Sequence, residues 1–290
     1  MRIAVPEPIE QVVANLLRLA NTKLPMDVGW ALEAAAGWER NPVATTQLGC
    51  IMDNVKKAEF MGRPMCQDTG TPVFFVSGRF DHTIAESIRK GVAIATSSIP
   101  LRPNAVDPLT RENTGDNVGV GFPSIHYEPS DGDLRIDLLV KGAGSENMTR
   151  LAMLNPSGGR KAVEDFVYGA VVSARGNPCP PTVVGVGIGG TADDCVRMSK
   201  EALAVPLDAD NPDGELAGME ESLFVRLNSS GLGPMGLGGD TTVLGVRIKK
   251  AHCHTASLPV AVSLGCWATR RASATIDGDG VATYGQGGSF

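Results

Sequence analysis

The chain has 290 residues and a formal net charge of −6, a balance that argues against nucleic acid or an anionic membrane surface as its main partner. Its length allows one large domain or two small ones, and an apolar share of 42% supplies a sizeable core. With 35 glycines and 5% aromatic residues, the composition favours tight turns and close backbone approaches over aromatic-rich sandwich packing.

The first residues form no secretory signal, since they lack a basic segment followed by an apolar one. No apolar run is long enough to span a bilayer. A cytoplasmic protein is expected, with its cysteines (50, 66, 179, 195, 253 and 266) reduced and, in the absence of C-x-x-C, not arranged as a zinc ribbon. Helices are predicted at 7–21 and 26–37, meeting at Pro25, and at 43–60, where Gly62 and Pro64 stop the third. The strand "PVFFVSG" follows, then a helix at 83–95. Residues 100–125 are rich in Pro, Asn, Gly and charge and read as a long loop of the kind that carries function. "RIDLLVKGAG" reads as a strand running into a glycine turn. Helices are predicted at 159–174, at 191–204 with Thr191 as N-cap and Asp193 and Asp194 in the first turn, and at 215–230. "TTVLGVRIKKAHCH" and "LPVAVSLGCWATRRASATI" read as strands. The expected class is mixed α/β, with a helical N-terminal third followed by mixed sheets with packed helices. No clean linker interrupts the chain, so residues 1–290 are read as one domain with a flexible tail at 285–290.

Several short motifs bear on chemistry. "CQDTGT" at 66–71 sets a thiol, an amide and a carboxylate side by side at the mouth of a buried strand. "NPCPP" holds Cys179 in a stiff proline-rich turn. Cys266 in "LGCWATRRA" follows an apolar strand and precedes Arg270 and Arg271, and nearby arginines favour thiolate. Burial as a small apolar side chain is the ordinary alternative for each, and it suits Cys50, Cys195 and Cys253 best. In "HCHTAS", His252 and His254 stand two apart and fall on one face of a strand, where either could bind metal or move a proton, although a structural histidine is commoner. "GVGIGG" at 185–190 matches G-x-G-x-x-G, with Asp208 or Asp210 about 20 residues on; this is the outline of a nicotinamide dinucleotide site, or of a plain tight turn, or of an anion site at a helix start. "KGAGSEN" and "GLGPMGLGGDT" are glycine turns that could offer backbone N–H groups to an anion. Cys66, Cys179 and Cys266 each sit beside a Gly or Pro turn at a strand end. Such dispersed thiolates can hold an iron–sulfur cluster, and three ligands on a four-iron cluster leave one iron open as a Lewis acid.

Taken together, "CQDTG" (66–70), "LRPNAVDPLTRENTGDN" (101–117), "KGAGSENM" (141–148), "NPCPPTVVGVGIGGT" (177–191), "GLGPMGLGGDTTVLGV" (231–246) and "GCWATRR" (265–271) resemble the class I, iron–sulfur-dependent fumarate hydratases and the related L(+)-tartrate dehydratases. The likeness covers essentially the whole chain and is to the α subunit of the two-subunit forms, which matches the N-terminal domain of the single-chain forms. The resemblance implies a hydro-lyase acting on a C4 dicarboxylate, fumarate and (S)-malate first and L(+)-tartrate as the alternative. It implies a [4Fe-4S] cluster on Cys66, Cys179 and Cys266 in a cleft, with one iron not ligated by cysteine and sensitive to oxygen. Asp68 and His254 match catalytic positions, and Gln67, Arg102, Gly142 and Gly144 match substrate-binding ones. Further substrate-binding residues of the single-chain forms lie in a C-terminal domain, so a separate β subunit is expected to complete the site, in an α2β2 assembly. A nicotinamide-dependent dehydrogenase and a non-catalytic dicarboxylate-binding subunit are the remaining readings.

Overall fold

Val12, Val13, Leu16, Leu17 and Ala20 recur at helical spacing and form the fully buried stripe of α1 (Ile9–Thr22). In the computed structural model, which describes residues 6–78 and 81–287, the chain divides into two compact units. The first comprises the residues up to Pro25, Val55–Lys141 and the segment from Arg270; the second comprises Met26–Asn54 and Gly142–Thr269.

The first unit is built on a five-stranded mixed sheet of β1 (Thr71–Gly78), β2 (Ser124–Pro129), β3 (Leu134–Lys141), β8 (Arg270–Ile276) and β9 (Ala282–Gly285), in the order β2-β1-β3-β8-β9. Only β1 and β2 run parallel. α1 and α4 (His82–Ser98) cover it, and Leu16, Ile88, Phe74, Ile136 and Leu138 meet in its core. Asp81 caps α4 by accepting from the Thr83 N–H at 2.8 Å.

The second unit carries α2 (Met26–Trp38) and α3 (Pro42–Met61) as far as Asn54. Its four-stranded sheet has the order β4-β7-β5-β6, from β4 (Arg150–Leu154), β5 (Thr182–Ile188), β6 (Val243–Lys250) and β7 (Leu258–Gly265). β5 and β6 are parallel, and β7 is antiparallel to both β5 and β4. A one-turn helix, α5 (Ala143–Glu146), precedes β4. α6 (Gly159–Ala174) and α8 (Gly214–Asn228) pack on one face through Val167, Val171, Leu223 and Leu227 against Val184, Val186, Val260 and Val262. α7 (Ala192–Ala204) lies on the other. There the sheet presents Gly185 and Gly187, and a Cβ on either would stand 2.1 Å from a carbonyl oxygen of α7, that of Ser199 or Cys195. The helix can approach this closely only because those side chains are missing.

The expected class and most elements are present. Four short pieces were not anticipated: β2, α5, β4 and β9. The segment read as one strand from 258 to 276 is two, broken at 266–269, where the chain passes from one unit to the other. Of the tail expected at 285–290, Gly285 closes β9, Gln286 donates to the Lys23 carbonyl and the Gly287 carbonyl accepts from Arg135; the last three residues lie outside the described ones. Among the described residues no helix is long and apolar enough to cross a membrane.

Replacing Gly187 by Ala should cost several kcal/mol, at or beyond the usual ~1–3 for overpacking, because both atoms that must separate are tied to rigid backbone. Chemical denaturation is expected to show a lower midpoint, while the exposed Gly169→Ala control in α6, where a Cβ meets nothing, should raise it slightly, since Ala is the better helix former by up to ~1 kcal/mol.

Candidate active site

In the first unit, the turn "CQDTG" is held from three sides. The Met65 N–H donates to the Asn21 carbonyl at 2.9 Å, tying the turn to the end of α1. Arg270, 1% exposed, donates from Nη1 to the Asp68 carbonyl at 2.8 Å and to Asn21 Oδ1 at 3.2 Å. The Gly70 N–H donates to Asp68 Oδ1 at 3.0 Å, which orients the carboxylate. Gly70 has φ +78°, and a Cβ there would strike Val140 Cγ1 at 2.6 Å, so the residue must be glycine.

The same turn positions Arg102. Thr69 is buried; its Oγ1 accepts from the Arg102 N–H at 2.9 Å and donates to the Arg102 carbonyl at 3.3 Å. The loop from 101 to 117 is then closed by Asn117, 4% exposed, whose Oδ1 accepts from the N–H groups of Asn104 and Ala105 and whose Nδ2 donates to the Arg102 carbonyl and to Thr96 Oγ1. Cys66 and Asp68 are half-buried, and Gln67 and Arg102 are exposed. Among the described residues the Arg102 guanidinium has no hydrogen-bond or ion-pair partner. This unit therefore brings together a thiol, an amide, an oriented carboxylate and an available guanidinium.

In the second unit, Cys179 stands just before β5 and Cys266 just after β7, two antiparallel neighbours, so both lie at the same end of the sheet. The Trp267 N–H donates to the Cys179 carbonyl at 3.2 Å and joins the two turns directly. Cys179 adopts φ +54°, in the left-handed region a side chain enters only when its surroundings fix it. The Gly142–Gly144 turn belongs to this end as well, because a Cβ on Gly144 would lie 2.7 Å from the Asn177 carbonyl oxygen. The 231–239 turn joins it through the Met235 N–H, which donates to the Pro180 carbonyl at 2.8 Å.

His254 is not at this end. β5 and β6 are parallel and pair from Thr182 and Val243 to Ile188 and Lys250, and His254 follows β6. It lies at the opposite end of the sheet, beyond the length of β5, roughly 20 Å at ~3.3 Å per residue. There it lines a cavity of about 350 Å³ with Arg160, Met219, Lys250, Cys253 and Leu258. Its Nδ1 accepts from the Ala256 N–H at 3.1 Å, which leaves Nε2 to carry the proton in the neutral ring.

The remaining sequence expectations resolve one by one. Cys195 is the packing cysteine expected, fully buried with its thiol pushed up to about 11 by burial. Cys50 and Cys253 were expected to pack and are exposed, on α3 and in the 251–257 loop. Arg270, expected to favour thiolate at Cys266, instead directs its Nη1 to Asn21 and to the Asp68 carbonyl. The glycines of "GVGIGG" are occupied by α7, and the start of α7 is capped by Thr191 with the carboxylates of Asp193 and Asp194 at its hydroxyl; this leaves close packing as the reason for the motif. Sequence reading missed Thr69, Asn117 and Asn21. The Asn-rich string "NTGDN" was the only signal for Asn117.

All six cysteines are thiols. Among the described residues no three His, Cys, Asp or Glu side chains are gathered as a set for one metal ion.

A family model described as fumarate hydratase (Fumerase) matches residues 10–275. The chain is 46% identical over 273 residues to a Methanocaldococcus jannaschii protein named "Putative L(+)-tartrate dehydratase subunit alpha", covering 91% of this chain and 96% of the relative. It is 34% identical over 277 residues to the L(+)-tartrate dehydratase subunit alpha of Escherichia coli K12, covering 93% and 91%, and equally to that of Shigella boydii serotype 4. A match across both compact units, with catalytic-type residues at the ends of their sheets, leaves one conclusion: the chain belongs to the class I fumarate hydratase family and is a hydro-lyase.

Proposed function

We propose that this chain is the α subunit of a [4Fe-4S] hydro-lyase that interconverts fumarate plus water with (S)-malate. The observation that carries the reading is the joint anchoring of Cys66, Gln67 and Asp68 with Arg102 through Thr69. A second reading, dehydration of L(+)-tartrate to oxaloacetate, is favoured by the names of the relatives.

Cys66, Cys179 and Cys266 would hold the cluster. The donor set fits, since each is a half-buried thiol in a turn outside the hydrophobic core, whereas the buried Cys195 is excluded. When bound, the cluster supplies a Lewis acid that makes hydroxide a better leaving group from C2.

The chain's own residues supply the rest. Arg102 offers a planar fork to one substrate carboxylate, a match of shape as well as charge. Gln67 donates its amide N–H to substrate oxygen, and the Gly142–Gly144 turn presents backbone without side-chain obstruction. In the dehydration direction Asp68 takes the proton from C3, while hydroxide leaves C2 and the C2–C3 double bond forms. Its carboxylate is held for this by the Gly70 N–H. The reverse path returns the proton. His254, the other candidate proton carrier, stands in its own chain at the far end of the sheet from Cys179 and Cys266 and is left out of this step. The relatives are named as α subunits, so a second chain is proposed to grip the other carboxylate, in an α2β2 enzyme.

Anaerobic reconstitution should load wild type with about four irons and a broad visible absorption, both lost in Cys66→Ala. Alkylation followed by mass mapping gives an independent readout: loading should protect 66, 179 and 266, while exposed Cys50 and Cys253 react and Cys195 stays inert. Failure to take up iron by a folded wild type would refute the reading.

With its partner chain present, Asp68→Asn should lower kcat by about 10²–10⁴ with little change in KM. Arg102→Ala should chiefly raise KM. The isolated chain should show almost no turnover, and assays with (S)-malate and L(+)-tartrate side by side decide between the two substrates.

A further inference from the structure

Arg175 follows α6 as its C-cap, with φ +50° and ψ −132°. The Asn177 N–H donates to the Ala174 carbonyl at 3.1 Å and closes a tight turn over Arg175 and Gly176. Those angles are those of the first central residue of a type II′ turn, about +60° and −120°, a position that glycine ordinarily fills. Any side chain there is strained. Gly176 pins the turn in place, since a Cβ on it would stand 2.8 Å from the Met235 carbonyl oxygen, and a Cβ on Gly236 would stand 2.7 Å from Gly176 Cα. The chain therefore carries an arginine where glycine would fold more easily.

Packing does not account for that choice. Arg175 is exposed, and among the described residues its guanidinium has no hydrogen-bond or ion-pair partner. Its place in the fold does. The turn lies at the cysteine end of the second unit's sheet, and the Cys179 N–H donates to the Gly176 carbonyl at 3.0 Å, so a second tight turn follows the first. The Cα atoms of Arg175 and Cys179 are then at most about 11 Å apart. Asn177, two residues on, is the residue against which Gly144 packs. The turns that build this end are 142–145, 175–181, 231–239 and 265–269, and Arg175 is the one charged side chain in their sequences. A lone cation among glycines, prolines and neutral side chains leaves a positive local field that draws an anion.

We propose that Arg175 is a substrate-binding residue whose guanidinium takes the carboxylate that Arg102 leaves free, together with groups from the second chain. The assignment rests on the proposed function, which brings a C4 dicarboxylate to Cys179 and Cys266. A planar guanidinium meets a carboxylate through two parallel N–H···O bonds. The pinned turn also limits where the side chain can go, because its backbone is held by the Ala174–Asn177 bond and by Met235.

Three variants separate strain from charge. Arg175→Gly should raise the denaturation midpoint of the chain, since glycine adopts these angles freely, and in the assembled enzyme it should raise KM about 10–100-fold with little change in kcat. Arg175→Gln keeps the strained backbone without the charge, so the midpoint should stay at the wild-type value while KM rises equally. Arg175→Lys restores the charge but not the fork and should fall between wild type and Arg175→Gln. Calorimetry with succinate, a C4 dicarboxylate with neither hydroxyl nor double bond to react, should show the same order of affinities without turnover. Equal KM in wild type and Arg175→Gln overturns the inference, as does a midpoint that Arg175→Gly fails to raise. So does a KM restored by excess partner chain, which would make the arginine a subunit contact. An assembled wild type that turns over neither (S)-malate nor L(+)-tartrate, yet binds succinate more tightly than Arg175→Gln, refutes the proposed reaction and leaves the carboxylate site standing.

Discussion

The most consequential contact in the first unit is the buried guanidinium of Arg270. It sits 1% exposed on the first residue of β8 and joins the end of α1, through Asn21, to the carbonyl of Asp68. A buried cation is expensive unless its donors are met, and replacing such a group by apolar residues often stabilises a fold. Its Nε has no partner among the described residues. Stability is thus a weak reason for its presence, and placement is a better one: with the carbonyl of Asp68 fixed from behind and Oδ1 fixed by the Gly70 N–H, the carboxylate has little rotational choice.

That constraint propagates along the chain. Thr69 is clamped by the same turn and in turn clamps the backbone of Arg102, so carboxylate and guanidinium share one scaffold instead of two independent loops. Asn117 then uses both ends of its amide to hold the 101–117 loop in a single arrangement. Loops that carry chemistry need this kind of buried polar support, because side-chain placement is only as good as the backbone beneath it. The second unit reaches the same end by different means. There the devices are missing side chains, which let α7 press onto Gly185 and Gly187 and let the Gly142–Gly144 turn press onto Asn177 beside Cys179.

Sequence reading succeeded where one local rule decides the outcome. The amphipathic period of α1, the Thr191 cap of α7 and the cysteine-bearing turns at strand ends were all legible, because each depends on neighbours within a few residues. β4 and β9 were missed, being four or five residues long and specified by the strands beside them. Cys50 and Cys253 were assigned to packing on general cysteine behaviour, yet helix phase and loop exposure place them outside. Arg270 shows the deeper limit. Its proximity to Cys266 in sequence suggested an influence on that thiol, but its hydrogen-bonding partners are Asn21 and Asp68, 249 and 202 residues away.

The distribution of polar groups also bears on how such an enzyme selects its substrate. Under the proposed function, fumarate hydration and tartrate dehydration would call on the same parts of this chain: a thiol set, a proton carrier at C3 and one carboxylate fork. They differ by a hydroxyl on the carbon that loses the proton. A site rejects a missing or added hydroxyl strongly only where buried polar groups are built to meet it. On the Cys66–Arg102 scaffold, the groups left exposed are Gln67 and Arg102, whereas Thr69 and Asn117 are spent on the backbone. On the proposed function, discrimination by this turn would fall to Gln67, the exposed neutral hydrogen-bonding side chain beside the oriented carboxylate, and whatever it does not read would be read by groups supplied from outside this turn.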